Sequence, residues 1–294
     1  MIDYLSLIKK YPYVNEFISK HNISDGYIQS HLSPFLDCIE SLNICSNCTG
    51  IDTCKQGKKG EVITLNYDDL VYNDITYCDK YLKKKIEDKI RANYIYSDIP
   101  SEYSDLSLKN IKIVDENILR LLAKVNSIAE HKVTRGLYIY GDLGVGKTYM
   151  CIALANTLAR NGEKVAFIKS NFFINKMRQL IVNDQIAYNR IINDIKESKY
   201  LIIDDIGSES VSAYSRDDLL FNILDYRMEN KLTTLFTSNL SKEDLLEHYT
   251  YDKNNTSRMR AKRLLERIDI LSESYVLLGQ NKRRETLWLE KLVF

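Results

Sequence analysis

The sequence predicts an α/β fold in which a parallel sheet is flanked by helices, preceded by a small and mainly helical domain. Four runs of strand composition are each separated from the next by a helical stretch, which is the pattern of a parallel α/β sheet. These runs are residues 136–140, 164–168, 200–203 and 233–237. The second observation is a cluster of cysteines near the N-terminus, which indicates a separate small domain.

The chain length predicts two domains. At 294 residues there is room for a medium domain and a small one. We expect an N-terminal domain over residues 1–95, a linker over 96–110 and the sheet domain over 111–294.

The charge composition gives no indication of nucleic-acid or membrane binding, because 41 Lys and Arg stand against 40 Asp and Glu. No apolar run reaches the roughly 18 residues of a membrane span. The N-terminus also lacks the basic-then-apolar layout of a signal peptide. We therefore expect a cytoplasmic protein that does not associate with membranes.

Short amphipathic helices are predicted for the start of the N-terminal domain. Between Tyr4 and Leu42 apolar residues recur at intervals of three and four, as at Val14, Phe17 and Ile18. A lysine-rich helix over 79–91 should turn its charges to solvent.

The cysteine cluster is interpreted as a structural zinc site with Cys45, Cys48, Cys54 and Cys78 as ligands. Thiols stay reduced in the cytosol, so tetrahedral ligation of Zn²⁺ explains the cluster better than disulfides do. A bound metal would also stabilise a domain with a small core. Cys38 and His31 are rival ligands, and the alternative for the whole set is ordinary buried thiols.

A glycine-rich loop between the strand at 136–140 and a helix at 150–158 fits the phosphate-binding pattern Gly-x-x-x-x-Gly-Lys-Thr. Its glycines let backbone N–H groups surround a phosphate, Lys147 supplies a cation, and Thr148 offers a hydroxyl to Mg²⁺. The predicted ATP-binding residues are Gly141, Asp142, Leu143, Gly144, Val145, Gly146, Lys147, Thr148 and Tyr149.

The strand at 200–203 delivers two acids, Asp204 and Asp205, to the carboxyl edge of the sheet beside this loop. This is a Walker B pattern, in which Asp204 would hold Mg²⁺ and Asp205 would act as general base for the attacking water. Aspartate is one methylene shorter than the more usual glutamate, so we expect slow hydrolysis.

Asn239 follows the strand at 233–237 and is placed to reach the γ-phosphate or the attacking water, like an AAA+ sensor-1 residue. The alternative is that Asn239 only caps the next helix. Ser241, with Asp244 three residues later, is the better cap.

A local basic cluster begins at Arg258 and has three interpretations: a solvated helix face, an arginine finger toward a neighbouring subunit's ATP, and a groove for nucleic-acid phosphates. Arg267 is the predicted finger, with Arg263 as its rival. Arg283 is the predicted sensor-2 arginine, and Arg284 is the second choice.

Taken as an ordered set, these motifs resemble the DnaC/DnaI family of bacterial replicative helicase loaders, and the cysteines resemble the DnaI branch. The set consists of Ile99-Pro100, the glycine-rich loop, Leu201–Gly207, Thr237-Ser238-Asn239 and Glu266-Arg267-Ile268. The resemblance implies an AAA+ ATPase domain behind an N-terminal domain that binds the hexameric replicative DNA helicase. It further implies ATP-controlled self-association and contact with single-stranded DNA in the primosome.

Three rival functions are carried forward. An IstB-like transposition ATPase shares the AAA+ core but is not expected to have the cysteine domain. A small-molecule P-loop kinase needs neither Asn239 nor an arginine from another subunit. A non-hydrolysing ATP-gated adaptor is consistent with the Asp204-Asp205 pair.

Overall fold

The computed structural model describes residues 3–250 and 255–281. It divides into two compact units, Met1–Lys89 and Ile90–Phe294. In the part of the chain that the structure describes, none of the helices has the length and apolar composition of a membrane span.

The N-terminal unit begins with four helices whose apolar faces meet in one core. Each helix contributes a fully buried residue to this core, namely Ile8, Val14, Ile28 and Phe35. Phe17 and Ile18 are buried beside Val14, as their helical spacing in the sequence predicts. The helices are α1 (Tyr4–Lys9), α2 (Pro12–Lys20), α3 (Asp25–Ser30) and α4 (Leu32–Ser46).

A β-hairpin that the apolar spacing of the sequence does not predict follows the helices. Strands β1 (Glu61–Asp68) and β2 (Leu70–Tyr77) pair antiparallel around Asp69, whose φ is 59°. Leu65 and Val71 are buried in the core of the unit. The expected mainly helical domain is therefore a mixed one, in which strand pairing supplies part of the hydrophobic core.

Helix α5 (Asp79–Asn93) confirms the predicted lysine-rich helix, and none of its side chains is buried. The boundary between the two units lies within this helix, between residues 89 and 90, whereas the sequence predicts a first domain that ends at residue 95.

The segment predicted as a linker, 96–110, is part of the second unit. Strand β3 (Tyr94–Ser97) pairs in parallel with a strand of the large sheet, and two short 3-10 turns follow it. Leu106 and Leu108 are buried in the sheet domain's core. Their burial explains why this segment does not behave as a free linker.

Six strands form the sheet of the second unit. Besides β3 they are β4 (Gly136–Tyr140), β5 (Val165–Lys169), β6 (Tyr200–Asp204), β7 (Thr233–Ser238) and β8 (Ser272–Val276). All neighbouring strands are parallel, in the order β3-β5-β6-β7-β4-β8. All four runs expected as strands are present, and β3 and β8 are the two edge strands.

Helices cover both faces of this sheet, as the α/β prediction requires. The helices are α6 (Glu116–Ala129), α7 (Lys147–Arg160), α8 (Ser170–Asn183), α9 (Gln185–Glu197), α10 (Phe221–Glu229), α11 (Lys242–Tyr249) and α12 (Asn255–Leu271). Residues of α6 and α7 belong to one hydrophobic core cluster, and residues of α8 to α12 belong to the other. A π-helical segment, Tyr214–Leu220, leads directly into α10.

Candidate nucleotide site

The glycine-rich loop lies between β4 and α7, and its glycines adopt torsions that other residues rarely tolerate. Gly141, Gly144 and Gly146 have φ of 147°, 81° and 108°. A Cβ on Gly141 would also collide with the backbone carbonyl of Leu277, the residue that follows β8. The loop therefore requires glycine both for its backbone shape and for close packing against the edge strand.

Lys147 begins α7 and its ammonium is held over the loop. Its Nζ donates to the carbonyls of Gly141 and Asp142 at 2.7 and 2.8 Å, and to Asn239 Oδ1 at 2.8 Å. The side chain is buried, with 7% of the residue exposed. These contacts place the cation at the centre of the loop, where phosphate oxygens can take the place of the oxygens it now contacts.

Asp204 at the end of β6 receives two hydroxyl hydrogen bonds on one oxygen. Thr148 Oγ1 and Thr237 Oγ1 both donate to its Oδ1, at 2.8 and 2.6 Å. Burial raises the pKa of Asp204, although these two hydroxyls act in the opposite direction. Among the described residues nothing donates to Oδ2, so one carboxylate oxygen and the Thr148 hydroxyl are placed as hard oxygen ligands suited to Mg²⁺.

Sequence reasoning missed Thr237. This residue also accepts a hydrogen bond from the backbone N–H of Asp205 at 2.8 Å, so one hydroxyl fixes both acids. The available signal was a threonine near the end of a predicted strand, two residues before Asn239.

Asn239 forms hydrogen bonds with both Lys147, the predicted cation, and Asp205, the predicted general base. Its Nδ2 donates to Asp205 Oδ1 at 2.9 Å while its Oδ1 accepts from Lys147. Asp205 has a φ of 57°, a left-handed conformation that turns the chain sharply after β6. Ser241, not Asn239, caps α11, because the Ser241 hydroxyl accepts from the N–H of Asp244.

These side chains line one cleft of about 1020 Å³. Residues 143–149 of the predicted loop line the cleft, and so do Asp204, Asp205 and Asn239. Residues before α6, among them Tyr103, Ile111 and Val114, form another wall that sequence reasoning did not identify. The cleft is large enough for a nucleotide, with a polar phosphate end and apolar side chains in its other walls.

The arginines of α12 do not line this cleft. Arg267 forms ion pairs with Asp225 and Glu266, both at 2.8 Å, and its guanidinium lies 4.9 Å from the centre of the Phe221 ring. Arg263 stacks on the same ring at 4.8 Å. Arg283 and Arg284 lie outside the described residues.

Much of the basic cluster is neutralised by acids that the sequence order does not place beside it. Arg258 pairs with Glu247 at 3.0 Å, and Arg260 pairs with Asp217 at 3.1 Å. The tertiary structure therefore leaves less net positive charge on α12 than the sequence indicates.

The cysteines are brought together only in part. Cys45, Cys48 and Cys54 line one cavity of about 350 Å³. The backbone N–H groups of Gly60 and Gln56 donate hydrogen bonds to the sulfur of Cys54 and lower the pKa of its thiol. Within the described ranges, however, no three His, Cys, Asp or Glu side chains form a group that could hold a metal ion. The predicted zinc site is therefore not shown.

The rival zinc ligands have other surroundings. Cys38 is fully buried in the core of the N-terminal unit, and burial raises the pKa of its thiol to about 11. His31 stacks on Tyr27 with the ring centres 4.3 Å apart.

Comparison with known proteins decides the family. The model for IstB-like ATP binding proteins matches residues 83–283, from α5 to beyond β8. The chain belongs to this family. The predicted ATPase is thereby confirmed, and the phosphate loop, Asp204 and Asn239 all lie in the IstB-like part of the chain.

The chain is also similar to replicative helicase loaders. The replicative helicase loader DnaI of Bacillus subtilis is 29% identical over 275 residues, which cover 89% of this chain and 85% of that protein. The replicative helicase loader DnaC of Escherichia coli is 24% identical over 159 residues, covering 53% of this chain and 64% of that protein. The predicted resemblance to the DnaC/DnaI loaders is confirmed by these matches.

A crystal structure of DnaI has the same fold as about two thirds of this chain. It superposes with a TM-score of 0.55 at 26% identity and covers 66% of this chain and 98% of that one.

Proposed function

We propose that this protein is an ATP-dependent loader that binds the replicative DNA helicase and delivers it to single-stranded DNA during initiation or restart of replication. The observation that carries the proposal is the extent of the similarity to DnaI. The IstB-like model begins at residue 83, but the DnaI alignment covers 89% of the chain and so extends well into the N-terminal unit.

This extent also separates the loader from its rivals. A transposition ATPase of the IstB type accounts for the sheet domain and leaves the N-terminal unit without a role. A small-molecule kinase is disfavoured by Asn239, whose position between Lys147 and Asp205 suits the detection of a γ-phosphate. A non-hydrolysing adaptor does not agree with the ATPase family to which the chain belongs, and ATP turnover measured with and without single-stranded DNA tests whether DNA stimulates hydrolysis.

Each site residue has a proposed role in the ATP cycle. Lys147 and the loop N–H groups bind the β- and γ-phosphates, while Thr148 and Asp204 hold Mg²⁺, which neutralises charge on the phosphates when bound. Asp205 accepts the proton of the attacking water, and Asn239 positions that water. Arg267 would act on the ATP of a neighbouring copy, because within its own chain it lies away from the cleft.

Nucleotide state would then control self-association through the AAA+ domain and contact with single-stranded DNA. Arg283 is proposed as the sensor-2 arginine, and this role is supported by the sequence alone. Because the proposed partners act on the chromosome, we place the protein in the cytoplasm.

Zinc binding by Cys45, Cys48, Cys54 and Cys78 is proposed for the N-terminal unit, supported by the three thiols that share one cavity. Elemental analysis of the purified protein tests it. One zinc per chain that is lost in a Cys45→Ser/Cys48→Ser double variant and kept in Cys38→Ser supports the site. Folded protein that contains no zinc would contradict the proposed site.

Co-purification with the replicative helicase of the host tests the function. The wild-type protein should bind the helicase, and the amount bound should differ between ATP and ADP. Lys147→Ala should retain binding through the N-terminal unit but lose the difference between the nucleotides. A folded protein that never captures the helicase, in either nucleotide, contradicts the proposal.

A further inference from the structure

Glu209 is a buried carboxylate with no role in the site described above. It lies five residues after Asp204, and only 2% of it is exposed. No Lys, Arg or His among the described residues forms an ion pair with it. Burying an unpaired carboxylate is costly, so the groups that surround Glu209 indicate why it is there.

Three neutral donors from separate elements converge on Glu209. Ser170 Oγ, from the first residue of α8, donates to its Oε2 at 2.7 Å, and the N–H of Gly207 donates to the same oxygen at 3.0 Å. The hydroxyl of Tyr249, the last residue of α11, donates to Oε1. Glu209 therefore joins the ends of β5 and β6, which form the phosphate end of the cleft, to the end of α11.

The same network continues from Tyr249 to α12. The carbonyl of Tyr249 accepts from Arg216 Nη1 at 2.8 Å, and this nitrogen also donates to Ser257 Oγ at 3.0 Å. Arg216 belongs to the π-helical segment, and 1% of it is exposed. Ser257 lies in the first turn of α12, the helix that carries Arg260, Arg263 and Arg267.

The phosphate end of the cleft is also connected to Tyr249 along the polypeptide chain. Asn239, which contacts both Lys147 and Asp205, is followed by the Ser241 cap and then by α11, whose last residue is Tyr249. A structural change at the phosphate end of the cleft can therefore be transmitted to Tyr249 by two routes, through Glu209 and through α11.

From this geometry we propose that Glu209 is a positioning residue that couples the phosphate end of the cleft to helix α12, through Tyr249 and Arg216. The proposal rests on the ATP-dependent function above and gives the route by which bound nucleotide reaches the arginine helix. Buried, fully hydrogen-bonded networks hold one arrangement of the elements they join, so a shift of one element is transmitted to the others.

Hydrogen exchange on the full-length protein tests this coupling. In the wild type, saturating ATP should slow amide exchange both in the phosphate loop and in α12, residues 255–271. Tyr249→Phe removes one hydroxyl and leaves Ser170 and Gly207 on Glu209. It should keep the slowing in the loop and an ATP affinity within about twofold, but reduce the slowing in α12 at least fivefold.

A control removes a tyrosine hydroxyl from a part-buried hydrogen bond elsewhere in the sheet domain. Tyr200 lies at the start of β6, the end of that strand away from Asp204. It is 3% exposed and its hydroxyl bonds His131, so Tyr200→Phe should keep both effects. Glu209→Gln should behave as Tyr249→Phe does if it folds. Slowing in α12 that is unchanged in Tyr249→Phe, or absent in a wild type whose phosphate loop responds, overturns the coupling. A wild type that binds no ATP would instead contradict the proposed function.

Discussion

At the scale of single residues, the site depends on hydroxyl and amide groups as much as on its charges. Thr237 fixes Asp204 through a side-chain bond and Asp205 through a backbone bond, while Asn239 spans Lys147 and Asp205. These neutral groups set the directions in which the charged groups face the cleft. Their loss should therefore affect nucleotide binding more than overall stability.

Thr237→Val tests this directly. The isosteric change removes the donor to Asp204 and the acceptor for the N–H of Asp205, so Mg²⁺-dependent ATP affinity should fall roughly 10- to 100-fold. Titration with a fluorescent ATP analogue, with and without Mg²⁺, measures the effect. Thr233→Val, at the other end of the same strand, serves as the control, and equal losses in both variants would argue against the assigned role.

At the scale of elements, buried arginines hold chain segments together by saturating backbone carbonyls. Arg227 is completely buried and donates to the carbonyls of Ile195, Ser198 and Thr233 at 2.7–3.0 Å. It therefore joins the end of α9 to the starts of β6 and β7, where orphan carbonyls would otherwise be buried.

Arg227→Lys should destabilise the protein by about 3 kcal/mol, because a single ammonium cannot reach all the carbonyls that lie around the edge of the guanidinium group. Urea unfolding of the sheet domain measures the loss. Arg190→Lys on the exposed face of α9 should change stability by less than about 0.5 kcal/mol, and similar losses in the two variants would contradict the prediction.

The contact between the π-helical segment and α12 predicts a pH dependence. Burial alone would raise the pKa of Asp217, but its hydrogen bonds and ion pairs with Arg216 and Arg260 outweigh burial and lower that pKa. A lowered folded-state pKa means that the unfolded chain binds more protons at acid pH. Asp217 therefore stabilises the fold above its unfolded pKa, and the contribution is lost as pH falls through the folded pKa.

Asp217→Asn should accordingly cost about 2 kcal/mol of unfolding free energy at pH 7, since it removes the charged acceptor of a buried guanidinium. The difference from wild type should shrink steadily below pH 4. Denaturant unfolding at several pH values measures it, with exposed Asp218→Asn as control. A difference that is independent of pH would show that the ion pairs contribute nothing.

At the scale of the whole molecule, the two units have separate hydrophobic cores. The N-terminal core contains Phe35 and Val71, while the sheet domain has its own clusters on the two faces of its sheet. Damage to one core should therefore leave the chemistry of the other intact.

Phe35→Ala should destabilise the N-terminal unit by about 3–5 kcal/mol and abolish helicase capture, while ATP affinity stays within twofold of wild type. Limited proteolysis locates the damage, and nucleotide titration checks the second unit. Leu7→Ala, at a 38% exposed position, is the mild control. A parallel loss of ATP binding in Phe35→Ala would show that the units depend on each other.

The sequence by itself determined the parts of this protein that depend on local order along the chain. The phosphate loop, the acids after β6, the Ser241 cap and the alternation of strands and helices follow from residue types at fixed spacings, and the structure has them in those places. The β1–β2 hairpin and the packing of 96–110 were decided by burial in cores that a one-dimensional pattern does not contain.

Only the tertiary structure decided the contacts that join distant parts of the chain. Thr237 meets Asp204 across 33 positions, Asn239 meets Lys147 across 92, and the arginines of α12 find acids on other elements. Parallel strand order places these groups side by side, and no spacing in the sequence encodes which strands are neighbours. Glu209 shows the same division, since its network exists only because three separate elements end at one buried point.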